Sequence, residues 1–285
     1  MHPHFQCEII LSQSNSSKIA MTLEKAMGLG SFDLLFNKSV PHIVENIFSL
    51  LHYDSFIACH SVCKVWSHLL SVEPYHQISQ ELLKEKKENK QKLLGASSTG
   101  NLDEIKYLLS KRVDINCAED FGSQWASLHY AALKCQKEVV QLLINEGADP
   151  DITDIWGNSP LHYAAHYGFI NVAKVLIEGG SDPSKASKCR ATPLHYAVDF
   201  KDEGNDMTEL LLNAGSDPNI TDKFGQIPLH HAATIGCKRA VQLLLEKGSD
   251  PNRLDTCGNT PLTYAAMTGC EDIVQLLQDA GAKQK

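Results

Sequence analysis

Thirteen histidines and nine cysteines are enough material for a metal site or a nucleophile–base pair in a chain of 285 residues. Zinc needs several such groups converging, as in paired C-x-x-C ligands or an H-E-x-x-H helix, and the sequence contains neither. The G-x-S-x-G elbow of nucleophilic hydrolysis and the G-x-x-x-x-G-K-[ST] phosphate cradle are also missing. Cys59 and Cys63 stand one helical turn apart without zinc partners and read as core. Asp202-Glu203 sits in a loop with no partner base. His129, His162, His195 and His230 each follow a leucine in the same recurring phrase, which makes them parts of a repeated structure. The expectation is a non-enzymatic chain that holds no cofactor and no metal.

The elements that position these histidines repeat. The phrase reads SLHYAA from Ser127, SPLHYAA from Ser159, TPLHYAV from Thr192, IPLHHAA from Ile227 and TPLTYAA from Thr260. Its leucines, Leu128, Leu161, Leu194, Leu229 and Leu262, are 33, 33, 35 and 33 residues apart. GADP at Gly147 and GSDP at Gly180, Gly215 and Gly248 keep the same beat. A fixed period of this length means stacked supersecondary units that bury their apolar faces only against neighbours. In one unit, Pro160 suits the first turn of a helix, and Leu161, Ala164 and Ala165 share a face. Val172, Leu176 and Ile177 mark a second helix, Gly179-Gly180 ends it, and Asp182-Pro183 starts the outgoing turn.

Thr-Pro-Leu-His-x-Ala at this period resembles the ankyrin repeat. The resemblance implies an all-α solenoid with short β-hairpin loops, in which the histidine ties loop backbone to helix. Residues 93–285 then hold six units including caps, the first of them LLGASSTGNLDEIKYLLSKRVDIN. The two extra residues of the 35-residue step fall in Asp199–Asp206, an acidic loop that is either a tolerated insertion or a partner contact. The last unit stops at Lys285, and no SOCS box is expected behind it.

Residues 1–38 carry no strong period and are expected to be mostly disordered. From residue 39 the pattern changes to three short apolar helices. Ile43, Val44, Ile47, Phe48 and Leu51 form one stripe, and Val62, Trp66, Leu69 and Leu70 form another. A unit this small is poorly stabilised alone. It is either a helical cap on the array or a domain that needs a partner surface. Val40-Pro41, Ile47-Phe48-Ser49-Leu50-Leu51 and Val62-Cys63-Lys64-Val65-Trp66 resemble the F-box over residues 39–78, with Val40 where that family has leucine and His42 where an acidic residue is common. The resemblance implies docking on the Skp adaptor of a cullin–RING ubiquitin ligase through Pro41, Ile47, Phe48, Leu51, Val62 and Trp66. Residues 79–92, rich in lysine and glutamate, read as a charged helical linker.

The net charge of −8 argues against a general nucleic-acid binder. No apolar run reaches transmembrane length, and the N-terminus lacks the pattern of a signal peptide. Scattered cysteines without C-x-x-C pairs suit a reducing compartment, so a cytoplasmic or nuclear, monomeric chain is expected. By the ankyrin resemblance, hairpin tips and first-helix ends line a concave face. Those slots hold Ile155, Trp156, His166, Tyr167, Phe200, Phe224 and Ile235, with Arg190 where the hairpin glycine usually stands. The expected function is a substrate-recognition adaptor of a Skp–cullin–F-box ligase, the array holding an unidentified substrate protein. The alternative is an ankyrin scaffold or inhibitor with no link to ubiquitin.

Overall fold

In a computed structural model of the chain, the described residues are 75–198 and 205–283. The N-terminal 38 residues, the F-box residues Pro41, Ile47, Phe48, Leu51, Val62 and Trp66, and Phe200 with the rest of loop 199–204 lie outside them. The chain divides into two compact units, Met1–Leu83 and Lys84–Lys285, and the solenoid belongs to the second.

Twelve helices follow one another among the described residues: α1 (Tyr75–Thr99), α2 (Leu102–Ser110), α3 (Ser127–Leu133), α4 (Lys137–Asn145), α5 (Pro160–His166), α6 (Ile170–Glu178), α7 (Pro193–Ala197), α8 (Asn205–Asn213), α9 (Pro228–Ile235), α10 (Lys238–Glu246), α11 (Pro261–Met267) and α12 (Glu271–Asp279). They form two layers. The short first helices α3, α5, α7, α9 and α11 pack side by side, and so do the second helices α2, α4, α6, α8, α10 and α12. The layers share one continuous core, in which Leu128, Leu161, Leu194 and Leu229 line up with Leu143, Leu176, Leu211 and Leu244, all essentially inaccessible to solvent. Small residues behind each leucine, such as Ala164 and Ala165, let the second helix lie close.

Each second helix stops in the same way. In α6 the Gly180 N–H donates to the Ile177 carbonyl at 3.0 Å and the Ser181 N–H to the Leu176 carbonyl at 3.0 Å. This needs φ of 94° at Gly180, which side chains disfavour. At the other end of the array, α1 runs through Gly95 to Thr99 rather than breaking there. Leu93, Leu94, Ala96 and Ser97 are buried, and Leu93 and Ala96 hold this last turn in the core shared with Ile105, Leu108 and Leu128. Asn101 then caps α2 by accepting the Glu104 N–H at 3.2 Å.

The expected β-hairpin loops are not present among the described residues, where the only bridge is an isolated one between Ala118 and Ala126. The tips are turns, and three of them are braced by an aspartate. The Asp154 N–H donates to the Asn158 carbonyl at 3.1 Å, closing the turn with one backbone bond. The N–H groups of Trp156 and Asn158 donate to Asp154 Oδ1, at 2.8 and 2.9 Å. A side-chain oxygen does what a partner strand's carbonyls would do in a ladder. Asp222 and Asp255 repeat the arrangement.

Candidate protein-binding surface

Successive tips are stitched edge to edge by single backbone bonds. The Ile155 N–H donates to the Ser123 carbonyl at 3.1 Å, Lys188 to Trp156 at 2.9 Å, Lys223 to Cys189 at 2.8 Å and Thr256 to Phe224 at 2.9 Å. Gly157 makes this approach possible, since a Cβ there would meet the Lys188 nitrogen at 2.8 Å. The tips therefore form one continuous edge with fixed spacing.

The recurring histidines fasten that edge to the helices. His162 Nδ1 accepts the Ser159 N–H at 3.0 Å, and its Nε2–H donates to the Ala191 carbonyl of the next tip at 3.2 Å. His129, His195 and His230 do the same toward Asn158, Gln226 and Asn259. A nitrogen that accepts an N–H must be unprotonated, so these rings are neutral. Burial pushes His129 and His230 below the ordinary histidine pKa and His162 down to about 4. In the last unit Thr263 takes the slot; its hydroxyl accepts the Thr260 N–H at 3.3 Å.

The side chain after the histidine slot braces the tip aspartate in three of the units. Tyr163 donates to Asp154 Oδ2 at 2.5 Å and Tyr264 to Asp255 Oδ2 at 2.6 Å. His231 substitutes for the tyrosine, 3.4 Å from Asp222 Oδ2. Burial raises the Tyr163 hydroxyl pKa, with the Asp154 bond adding to it. Trp125 belongs to this network. Its indole N–H reaches Tyr163 Oη at 3.1 Å and Asp154 Oδ2 at 3.3 Å, and its ring meets Tyr130 and Tyr163 edge-on at 5.5 Å. The sequence reading missed this network, although the signal exists in the nine-residue step from Asp154 to Tyr163, Asp222 to His231 and Asp255 to Tyr264.

What these bonds hold outward is aromatic. Trp156 is 47% exposed and Phe224 is 54% exposed, in tips two units apart with Lys188–Arg190 between them. Tyr167 is 48% exposed, stacks on Phe169 at 5.7 Å and meets His166 edge-on at 4.8 Å; His166 in turn touches Tyr196 of the next unit at 5.7 Å. Ile155 and Ile235 are half-buried. So His166 and Tyr167 come together with Tyr196, and Trp156 and Phe224 share the tip edge. Phe200 lies outside the described residues. Among the described residues no group of three histidine, cysteine or acidic side chains could hold a metal ion. No described helix is long and apolar enough to cross a membrane.

Comparison with known proteins places this architecture. A family model described as ankyrin repeats in three copies matches residues 67–154, 128–222 and 194–285. The chain is 32% identical over 79 residues to human ankyrin repeat domain-containing protein 40, covering 28% of this chain and 21% of that protein. It is 39% identical over 66 residues to the E3 ubiquitin-protein ligase hecd-1 of Caenorhabditis elegans, covering 23% of this chain and 2% of the ligase. The chain thus spans no more than 21% of the length of either relative. A crystal structure of an ankyrin repeat domain from Acinetobacter baumannii superimposes with a TM-score of 0.62 at 28% identity, covering 67% of this chain and 98% of that one. The family match begins at residue 67, just after Trp66 closes the F-box pattern.

Proposed function

This chain belongs to the ankyrin-repeat family, and on that premise we propose that its tip edge and first-helix ends capture a protein partner. The family works as a protein-interaction scaffold rather than as an enzyme, and this chain's recurrent histidines and aspartates are committed to holding the tips. The observation that carries the reading is the pair Trp156 and Phe224, two large rings half-exposed on a rigid edge. Aromatic residues fixed in place before binding lose little entropy and are frequent binding hot spots.

The finer reading adds the F-box. Pro41, Ile47, Phe48, Leu51, Val62 and Trp66 would dock the Skp adaptor, and the array would present its partner for ubiquitination by proximity alone. In support, the sequence matches hecd-1 of C. elegans and Ufd4 of Drosophila melanogaster, both named as E3 ubiquitin-protein ligases. Each match covers only 2% of the ligase, which indicates that similar repeats occur within such proteins. A plain scaffold is the second reading, favoured by a family match that begins beyond Trp66. A cytosolic or nuclear place suits either. Co-purification of the full chain with the Skp adaptor decides between them. The adaptor reading expects F48A/L51A to abolish co-purification while the melting of the repeats stays unchanged. Undiminished recovery of the adaptor leaves the plain scaffold.

A further inference from the structure

We propose that the three consecutive tips carrying Trp156, Lys188–Arg190 and Lys223–Phe224 form a cationic and aromatic strip that takes an extended acidic peptide segment, with Arg190 holding one of its carboxylates. This rests on the protein-capture reading and names the chemistry of the partner.

The chain as a whole is acidic, at −8, yet this strip is basic. Lys188, Arg190 and Lys223 are exposed, and among the described residues none of them pairs with a carboxylate. They are held in place without being neutralised. Lys188 Nζ donates to the Ile155 carbonyl at 2.6 Å, Arg190 Nη2 to Thr221 Oγ1 at 3.0 Å, and Lys223 Nζ lies 4.8 Å from the centre of the Phe224 ring. A guanidinium has five N–H donors in a fork that matches a carboxylate, and the Thr221 bond occupies one.

The middle tip departs from its neighbours at two places, both in the same electrostatic direction. Asp154, Asp222 and Asp255 open the tip before it and the two after it, and Gly157, Gly225 and Gly258 complete them. Here Ser187 replaces the aspartate and Arg190 the glycine. One negative charge is lost and one positive charge gained. Neither change helps the turn. The Ser187 hydroxyl is buried without a hydrogen-bond partner. Arg190 sits at φ of 61°, where the tips of Gly157, Gly225 and Gly258 use glycine and only the first tip also has a side chain, Gln124 at 55°; this left-handed conformation is disfavoured for a residue with a Cβ. Locally unfavourable residues persist where function selects them. The flanking carboxylates are already occupied, since Asp154 and Asp222 are buried and each accepts two backbone N–H groups through Oδ1.

The apolar part of the strip sets the rest of the partner. Trp156, Cys189 and Phe224 hold equivalent places in successive tips, each just before the glycine slot. A small side chain thus lies between two large rings. The matching ligand is an acidic residue with apolar neighbours on the same extended segment.

The test is selection of phage-displayed random dodecapeptides on the immobilised full-length chain, followed by affinities of the enriched peptides for the wild type, R190G and W156A. The expected peptides carry Asp or Glu beside large apolar residues. Their Kd rises at least about tenfold with R190G, and binding weakens as NaCl goes from about 50 to 500 mM. R190K restores part of the loss. R190G itself should melt at or above the wild-type temperature, because glycine relieves the backbone. A marked fall in melting temperature makes Arg190 structural and overturns the proposal. Neutral or basic peptides lost with W156A, or peptides within about twofold of wild type on R190G, overturn the acidic assignment and leave protein capture standing. Peptides indifferent to both substitutions, or no enrichment, overturn both.

Discussion

His162 joins two units through one ring: its Nδ1 accepts the Ser159 N–H of its own helix, and its Nε2–H donates to the Ala191 carbonyl of the next tip, at 3.0 and 3.2 Å. Protonation would put a second N–H against the Ser159 N–H. The sign of the pH dependence follows. The folded pKa of His129, His162 and His230 lies below the ordinary 6.5, so below that pH the unfolded chain binds more protons than the folded one. Stability is unaffected above about pH 6.5 and falls as pH drops toward 4. At about 1.4 kcal/mol per pKa unit, the shift of His162 from 6.5 to about 4 alone contributes a loss of about 3 kcal/mol. Urea unfolding between pH 7.5 and 4.5 should show this slope, and H162Q should flatten it. A pH-independent midpoint contradicts the neutral tie.

L194A removes a fully buried side chain from the middle of the array. Truncations of this kind cost about 2–5 kcal/mol. Because α7 packs on α5, α8 and α9, amide exchange should accelerate in those helices as well as in α7. Acceleration confined to α7 would mean that the units are not coupled.

D154A leaves the Trp156 and Asn158 N–H groups and the Tyr163 hydroxyl without their acceptor. Each buried group left unpaired costs about 1–3 kcal/mol, less where water reaches it, so a loss of about 2–4 kcal/mol is expected in a thermal melt. Trp125 should report the change through its fluorescence, since its indole N–H shares the same carboxylate. Unaltered Trp125 emission and stability would mean that the Asp154 carboxylate does not brace its tip.

Much of this architecture is legible in the sequence because burial repeats with the period. Leu128, Leu161, Leu194, Leu229 and Leu262 recur because each fills the same place between neighbours. Gly180 is legible because its φ leaves few alternatives. The tips are less so. Each tip closes with one backbone bond rather than a ladder, including the Ser187 tip that lacks a carboxylate, and the spacing that resembles a hairpin is shared by both. The run of α1 through Gly95 depends on the burial of Leu93, Leu94 and Ala96 against later helices, which local propensity does not report. Of the surface, Trp156, Tyr167 and Phe224 could be located by their slots. The basic character of the strip is not legible in the sequence, because it depends on Lys188, Arg190 and Lys223 having no carboxylate partner among the described residues.

The central claim is that the tip edge captures the partner, and the affinity of W156A tests it most directly. A protein recovered with the full-length chain is identified and purified, and its Kd is measured against wild type and W156A alongside the melting temperature of each. The expected result is a Kd at least about tenfold higher, equivalent to about 1.4 kcal/mol, with an unchanged melting temperature, because the Trp156 ring is half-exposed and its backbone does the stitching. An unchanged Kd would contradict the claim and move the binding surface off the tip edge.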